Sequence, residues 1–333
     1  MESIVDDLAA GLRSRSSHTL VLPEGTDERV LAAARLLSDE KMAHIILPGE
    51  PDAIRAAADR ANVSLHDLLL VDPSIDDHLD AYVTAYLEMR PGANERVARR
   101  LISRPLFFAG SMLRASHADA LVAGAVNTTA KVIEACLMTI GKADGISTPS
   151  SCFLMLIPAS DGKTTPLIFA DCAVNVEPTS AELADIAIAS ATTARFLLDE
   201  SPRVALLSFS SKGSGKHRSA ARIAEAAALA AERDTSIAID GELQADTALS
   251  ELVARIKVDP QGEVAGRANV LVFPDLNSGN IAYKLTQQLA GASAIGPLLQ
   301  GFACPVADLS RGASVSEIVD TAIVTLARVT GRR

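Results

Sequence analysis

With 333 residues at a net charge of −10, the chain has room for two α/β domains of roughly 150 residues each and lacks the basic balance that nucleic acid or an anionic membrane surface requires. Hydrophobic residues at 48% and charged ones at 22% describe a globular protein, and with aromatics at 3% and no Trp its cores must be built from Ala, Leu, Ile and Val. Cys136, Cys152, Cys172 and Cys304 lie far apart with no CxxC and the six histidines form no HxxxH, which argues against a disulfide framework, a zinc knuckle or any metal site not made of carboxylates alone, and suits a reducing cytoplasm.

In chain order, the opening MESIVDDLAAGLRSRSSH is acidic early and has no apolar core of signal-peptide type, and no later run approaches the ~18 apolar residues of a membrane span. Thr19–Leu22 reads as a strand, and PEGT turns into a helix beginning near Asp27. Ile45–Leu47 and Leu68–Val71 are further strands, each followed by helical periodicity. Two Ala-rich helices lead to a buried strand at Asp119–Ala125, and Thr128–Ile140 is the next helix. Small and polar residues over Gly141–Ser150 place a domain crossing there. Beyond it, strands are expected at Ser151–Ile157, Leu167–Asp171, Val204–Ser208, Ile237–Ile239 and Val270–Phe273, with helices near 179–199, 216–233 and 278–290. After GPLLQG come a strand at Pro305–Leu309 and a last helix from Ser314 to about Val329. This alternation is that of an α/β protein with largely parallel sheets covered by helices.

Chemistry in such folds gathers at the C-terminal ends of strands, so the strand-to-helix junctions carry the candidates. In Asp308-Leu-Ser-Arg-Gly-Ala-Ser-Val-Ser-Glu317, Ser310 and Arg311 stand in the turn, where a guanidinium can grip a phosphate bidentately. Ser314-x-x-Glu317 is also a capping box, so Glu317 has a purely structural reading beside a chemical one. Ser208-Phe-Ser-Ser-Lys-Gly-Ser-Gly-Lys216 has the glycines of a phosphate loop, with Lys212 as its candidate ligand, but not the GxxxxGK[ST] spacing of a nucleotide-triphosphate site. Asn127, Thr128 and Thr129 open a helix after a strand, where hydroxyls either cap the helix or touch a ligand. Asn280 and Lys284, one helical turn apart, can share one face.

The blocks VLPEGTDERVLAAA (21–34), ADALVAGAVNTTA (118–130), SSCFLML (150–156), FADCAVN (169–175), VALLSFSSKGSGK (204–216), DGELQAD (240–246), GRANVLVFPDLNSGNIAYKL (266–285), GPLLQG (296–301) and PVADLSRG (305–312) are collinear over about residues 20–320. As a series they resemble the phosphate acetyltransferases, whose relatives include phosphate butyryltransferases and whose fold is similar to that of isocitrate and isopropylmalate dehydrogenases. The resemblance implies two α/β domains with an interdomain cleft. The first would comprise residues 1–145 plus 296–333, completed by the C-terminal helix, and the second residues 146–295. It also implies a homodimer in which coenzyme A, a substrate rather than a cofactor, meets acetyl phosphate with no covalent acyl-enzyme, no metal and no redox cofactor.

Carried over residue by residue, the family's Ser-Arg pair falls on Ser310 and Arg311, its downstream carboxylate on Glu317, and an arginine ahead of the VAGA strand on Arg90. Three positions depart from the family: Glu134 where many members have a helix arginine, Ala313 for a common Cys, and Glu317 for Asp. The expected mechanism has Glu317 take the thiol proton, Arg311 hold the phosphate and Ser310 donate a hydrogen bond near the reacting carbonyl. Should Glu317 only cap its helix, Asp308 is the next carboxylate. The competing readings are a phosphate propionyl- or butyryltransferase, a dehydrogenase of the isocitrate type, and a non-catalytic acyl-CoA-binding regulatory module.

Overall fold

The computed structural model describes residues 4–15, 18–159, 162–258 and 262–330. The strands in chain order are β1 (Thr19–Val21), β2 (His44–Pro48), β3 (Leu68–Val71), β4 (Ala120–Ala123), β5 (Ser150–Pro158), β6 (Thr164–Ala170), β7 (Arg203–Leu207), β8 (Ala238–Leu243), β9 (Val270–Val272), β10 (Ser293–Gln300) and β11 (Val306–Asp308). They fall into two compact units, one made of Glu2–Asp144 with Phe302–Arg333 and the other of Gly145–Gly301.

In the first unit the strand order is β3-β2-β1-β4-β11, every pair parallel. Parallel strands covered on both faces read as continuous apolar runs, and Leu20, Val21 and Leu22 are fully buried. The helix Glu28–Asp39 follows β1, capped by Asp27, whose side chain accepts the Arg29 N–H. Its buried face is Val30, Leu31, Ala33, Ala34 and Leu37, the i, i+3, i+4, i+7 pattern of an amphipathic helix. That face packs on the last helix, Val315–Thr330, where Ile318, Ala322, Val324 and Leu326 are all wholly buried. Each such leucine or isoleucine contributes about 2 kcal/mol, so this pairing ties the C-terminal segment firmly to the β1 side of the sheet.

In the second unit the order is β10-β5-β6-β9-β7-β8, with β10/β5 and β5/β6 antiparallel and the other pairs parallel. Its core includes two aromatic pairs: the Phe169 and Phe273 ring centroids lie 5.3 Å apart, and Phe153 stacks on Tyr283 at 4.2 Å.

Several elements differ from the sequence reading. An unanticipated helix, Ile4–Arg15, precedes β1 and packs on the C-terminal helix. Three helices rather than two lead to β4, because Asn94 caps Glu95–Ile102 and Pro105 starts Pro105–Arg114 afresh. Residues 296–300, assigned to the first domain from the sequence, are part of β10 and pair with β5 in the second unit. No helix among the described residues is long and apolar enough to cross a membrane.

Candidate active site

In the first unit β1, β4 and β11 are neighbours running in one direction, so the turns that follow them emerge at a single sheet edge. Asn127, Thr128, Thr129, Ser310, Arg311 and Glu317 all lie on or just beyond those turns, and the register places Asp308 beside Ala123.

A buried carboxylate organises the turn after β4. Glu24, 5% exposed, receives the N–H groups of Gly124 and Ala125 on Oε2 at 2.9 and 2.8 Å. Those of Val126 and Asn127 reach Oε1 at 3.1 and 2.7 Å, as does Asn127 Nδ2 at 2.7 Å. The Asn127 side chain is thus committed to Glu24 through its amide N–H. Charge-assisted bonds of this kind are stronger than neutral ones, and together they hold the turn in one shape. Gly124 is required there: its φ is +116°, and a Cβ would stand 2.3 Å from Asp308 Oδ1.

The two threonines have separate structural tasks. Thr128 caps the helix Thr129–Thr139 by accepting from Lys131 N, while Thr129 Oγ1 donates to Asp308 Oδ2 at 2.5 Å. Asp308 is 1% exposed and its Oδ1 is buried with no hydrogen-bond partner. Burial pushes its carboxyl up to about 7, with the negative charge of Glu24 adding to the effect and the Thr129 bond opposing it.

In the turn after β11, Ser310 and Arg311 are exposed. The Arg311 guanidinium has no hydrogen bond or ion pair with any described residue, so its donors face outward uncommitted. Glu317 completes the capping box: Oε2 accepts from Ser314 N and Oγ at 2.8 and 2.9 Å, and Glu317 N donates to Ser314 Oγ at 3.3 Å. The side chain is exposed and Oε1 carries none of these bonds. Arg90 stands elsewhere in this unit, at the end of the helix Leu79–Met89, with its guanidinium 5.8 Å from the Tyr86 ring centroid and Nη2 donating to Leu137 O at 3.3 Å. Leu137 lies on the helix that Thr128 caps, and on that helix Glu134 pairs with Lys131 at 2.8 Å.

The remaining candidates belong to the second unit. Lys212, at φ +48°, ion-pairs through Nζ with Asp240 and donates to Gly241 O at 3.2 Å, so its ammonium is committed to the middle of β8. Buried Glu242 stabilises the same loop by accepting from Gly213 N at 2.7 Å and Ser210 Oγ at 2.9 Å. Burial raises its carboxyl, but the bond from Gly213 and its other hydrogen bonds outweigh that and hold it below the ordinary range. Asn280 donates to Cys172 O at 3.1 Å, and Lys284 Nζ lies 5.0 Å from the Tyr283 ring centroid. Asp171, buried after β6, gathers the N–H groups of Ala173, Val174 and Asn175 much as Glu24 does in the first unit.

Sequence reasoning passed over Glu24, Asp27, Arg29 and Asp171. Glu24 carried a usable signal, an acid two residues past the apolar run Leu20–Leu22, where an unpaired charge would be costly. Among the described residues no group of three or more His, Cys, Asp or Glu side chains is placed to hold a metal ion.

Comparisons with known proteins agree with one another. A family model described as phosphate acetyl/butaryl transferase matches residues 3–326. A phosphate acetyltransferase of Treponema pallidum is 45% identical over 94% of this chain and 95% of its own length. One from Thermoanaerobacterium thermosaccharolyticum is 42% identical over 97% and 98%. A solved phosphotransacetylase from Streptococcus pyogenes superposes with a TM-score of 0.90 at 38% identity, covering 98% of each chain.

Proposed function

The chain belongs to the phosphate acetyl/butaryl transferase family, and from that premise we propose how its residues move an acetyl group between coenzyme A and inorganic phosphate. The thiol of coenzyme A loses its proton and its sulfur attacks the carbonyl carbon of acetyl phosphate. A carbon–sulfur bond forms, the carbon–oxygen bond to phosphate breaks, and inorganic phosphate departs with that electron pair. Transfer is direct, in a ternary complex, without metal or cofactor.

The observation that carries the assignment is Arg311. It is exposed on the turn after β11, beside Ser310, with all its donors uncommitted among the described residues. A planar fork held there can bind the phosphate oxygens in pairs and stabilise charge as it gathers on them. Ser310 donates to the carbonyl oxygen. Glu317 accepts the thiol proton at Oε1, since Oε2 is held by Ser314. Asp308 is too deeply buried to meet a thiol directly. Arg90 supplies positive charge for coenzyme A, with Asn127, Thr128, Thr129, Asn280 and Lys284 as further substrate contacts, and Lys212 joins them by exchanging Asp240 for a substrate oxygen.

We further propose that the enzyme works in the cytoplasm as a homodimer. Ile281, Leu285 and Leu289 form an i, i+4, i+8 stripe on the helix Leu276–Ala290 and are 56, 51 and 82% exposed. An exposed apolar stripe of this kind supports that reading.

The deciding assay is thioester formation from acetyl phosphate and coenzyme A by the purified protein in the presence of EDTA, with Arg311→Gln and Arg311→Lys alongside. Wild type is expected to be active and the Gln variant to lose orders of magnitude in kcat. Lysine, which keeps the charge but not the fork, recovers only part. Full turnover in the Gln variant moves the phosphate site elsewhere, and a strict need for a divalent ion ends the metal-free mechanism.

A further inference from the structure

The first unit carries a second arginine at the same sheet edge, and its situation is the reverse of Arg311. Arg29 lies in the first turn of the helix after β1. Its Nε donates to Asp27 Oδ1 at 3.0 Å and one Nη2 hydrogen to Asp27 Oδ2 at 2.8 Å, a bidentate pair. The other Nη2 hydrogen reaches Ala125 O at 3.1 Å. The two Nη1 hydrogens reach Arg311 O at 2.7 Å and Ala313 O at 2.9 Å. A guanidinium has five N–H donors, and all five are used by these acceptors. Nothing is left for a substrate.

The acceptors come from all three turns: Asp27 after β1, Ala125 after β4, Arg311 and Ala313 after β11. Arg29 is bonded to the carbonyl of the very residue whose side chain must point outward, and to that of Ala313 two residues on. The Asp27 charge keeps the guanidinium fully protonated and oriented, while hydrogen bonds from Arg29 more than offset the burial that would otherwise raise the Asp27 carboxyl.

We propose that Arg29 is a positioning residue for the transfer reaction: it clamps the backbone at Arg311 and Ala313 so that the Arg311 guanidinium is held ready for phosphate, without touching substrate itself. The proposal rests on the reading of Arg311 as the phosphate-binding group. It explains why an arginine, and not a lysine, stands at position 29. An ammonium has three donors radiating from one point and cannot span a carboxylate and carbonyls of two further turns at once.

The test is a double-mutant cycle on the full chain with Arg29→Lys, Arg311→Lys and the double variant. Melting temperature, kcat, and KM for acetyl phosphate and for coenzyme A are measured separately. Arg29→Lys is expected to lower kcat/KM for acetyl phosphate about a hundredfold through misplacement of the turn, while KM for coenzyme A stays within about twofold. Because both changes act on one interaction, the double variant should fall no more than about threefold below Arg311→Lys. A merely structural role would move melting temperature and both KM values together, and that result overturns the proposal. So does Arg29→Lys at wild-type kcat/KM, or losses that multiply in the double variant. If Arg311→Lys is itself as active as wild type, the phosphate reading falls and the clamp falls with it. If Arg311→Lys is impaired and Arg29→Lys is not, only the clamp falls. Should Arg29→Lys fail to fold, Asp27→Asn decides: about a tenfold selective loss for acetyl phosphate supports the clamp, and unchanged kinetics overturn it.

Discussion

The hydroxyl of Thr129 donates to Asp308 Oδ2 at 2.5 Å, joining the first residue of a helix to the last residue of a buried strand 179 positions away. The bond locks the turn after β4 to the start of the turn that bears Ser310 and Arg311. It also leaves a carboxyl group in a place where its charged form is poorly solvated.

That burial has a pH signature. With the Asp308 carboxyl raised from 3.8 to about 7, the native state holds a proton that the unfolded chain releases. Between those values the native state binds more protons than the unfolded one, so stability falls as pH rises through the window. The loss is fully developed only above the native value and is on the order of 4 kcal/mol. Asp308→Asn removes the titration while keeping an acceptor for Thr129. Urea midpoints measured from about pH 4 to pH 8 should diverge, the Asn variant gaining on wild type as pH rises. Parallel curves would refute the assignment.

At Glu317 the structural role and the proposed chemical one can be separated. Glutamine keeps an oxygen for Ser314 N and Oγ, so Glu317→Gln should lose no more than about 1 kcal/mol of stability. It cannot accept a proton at neutral pH, and most turnover should disappear. Glu317→Asp should keep appreciable activity. Melting curves beside kcat, at saturating coenzyme A, check both variants. A stable and fully active Gln variant reduces Glu317 to a cap.

Cysteine chemistry is expected to be dispensable. Cys136, Cys152 and Cys172 are buried, and burial pushes the Cys136 and Cys172 thiols up, away from the reactive thiolate. A folded variant with all four cysteines changed to alanine should retain substantial turnover. Trapping of an acetylated Cys304 that forms and decays at the catalytic rate would show otherwise.

The apolar stripe Ile281, Leu285 and Leu289 predicts its own phenotype. If the proposed dimer forms through it, wild type should be a dimer and Leu285→Asp with Leu289→Asp a monomer, read by light scattering across a concentration series, with far-ultraviolet dichroism unchanged. A dimer that survives both charges at micromolar protein lies on another face.

Much of the scaffold was legible from periodicity alone. β1, β3, β4 and β9 are short apolar runs bounded by turn residues, and helices such as Ser180–Leu197 and Arg218–Arg233 carry their caps in the sequence. β10 was not, because Gly296-Pro297 inside Ser293–Gln300 looks like a turn. The strand accommodates the pair at a register shift between Ile295 and Leu298, a long-range pairing that no local pattern announces. At the site the exposed members of the Ser310-Arg311 turn were legible because their motif is contiguous. The partners of Glu24 and Arg29 were not, because the N–H groups that Glu24 gathers and the carbonyls that Arg29 reaches lie some hundred or more positions away and meet them only in the folded sheet. The capping role of Glu317 was legible in Ser314-x-x-Glu317, and the hydrogen bonds to Ser314 document it.

The carboxylate of Glu24 fills a ring of backbone N–H groups that would otherwise invite a dissolved anion. An enzyme that handles phosphate has thereby plugged one of its own turns with a built-in, covalently tethered competitor. Sulfate or excess phosphate in the medium finds the turn after β4 already taken, whereas the uncommitted guanidinium of Arg311 remains open to it. On the proposed phosphate role of Arg311, inhibition of this enzyme by simple oxyanions should therefore report the occupancy of Arg311 rather than of the backbone beside it. Removing the plug with Glu24→Ala would blur that readout by opening a second, unproductive seat for the same ions.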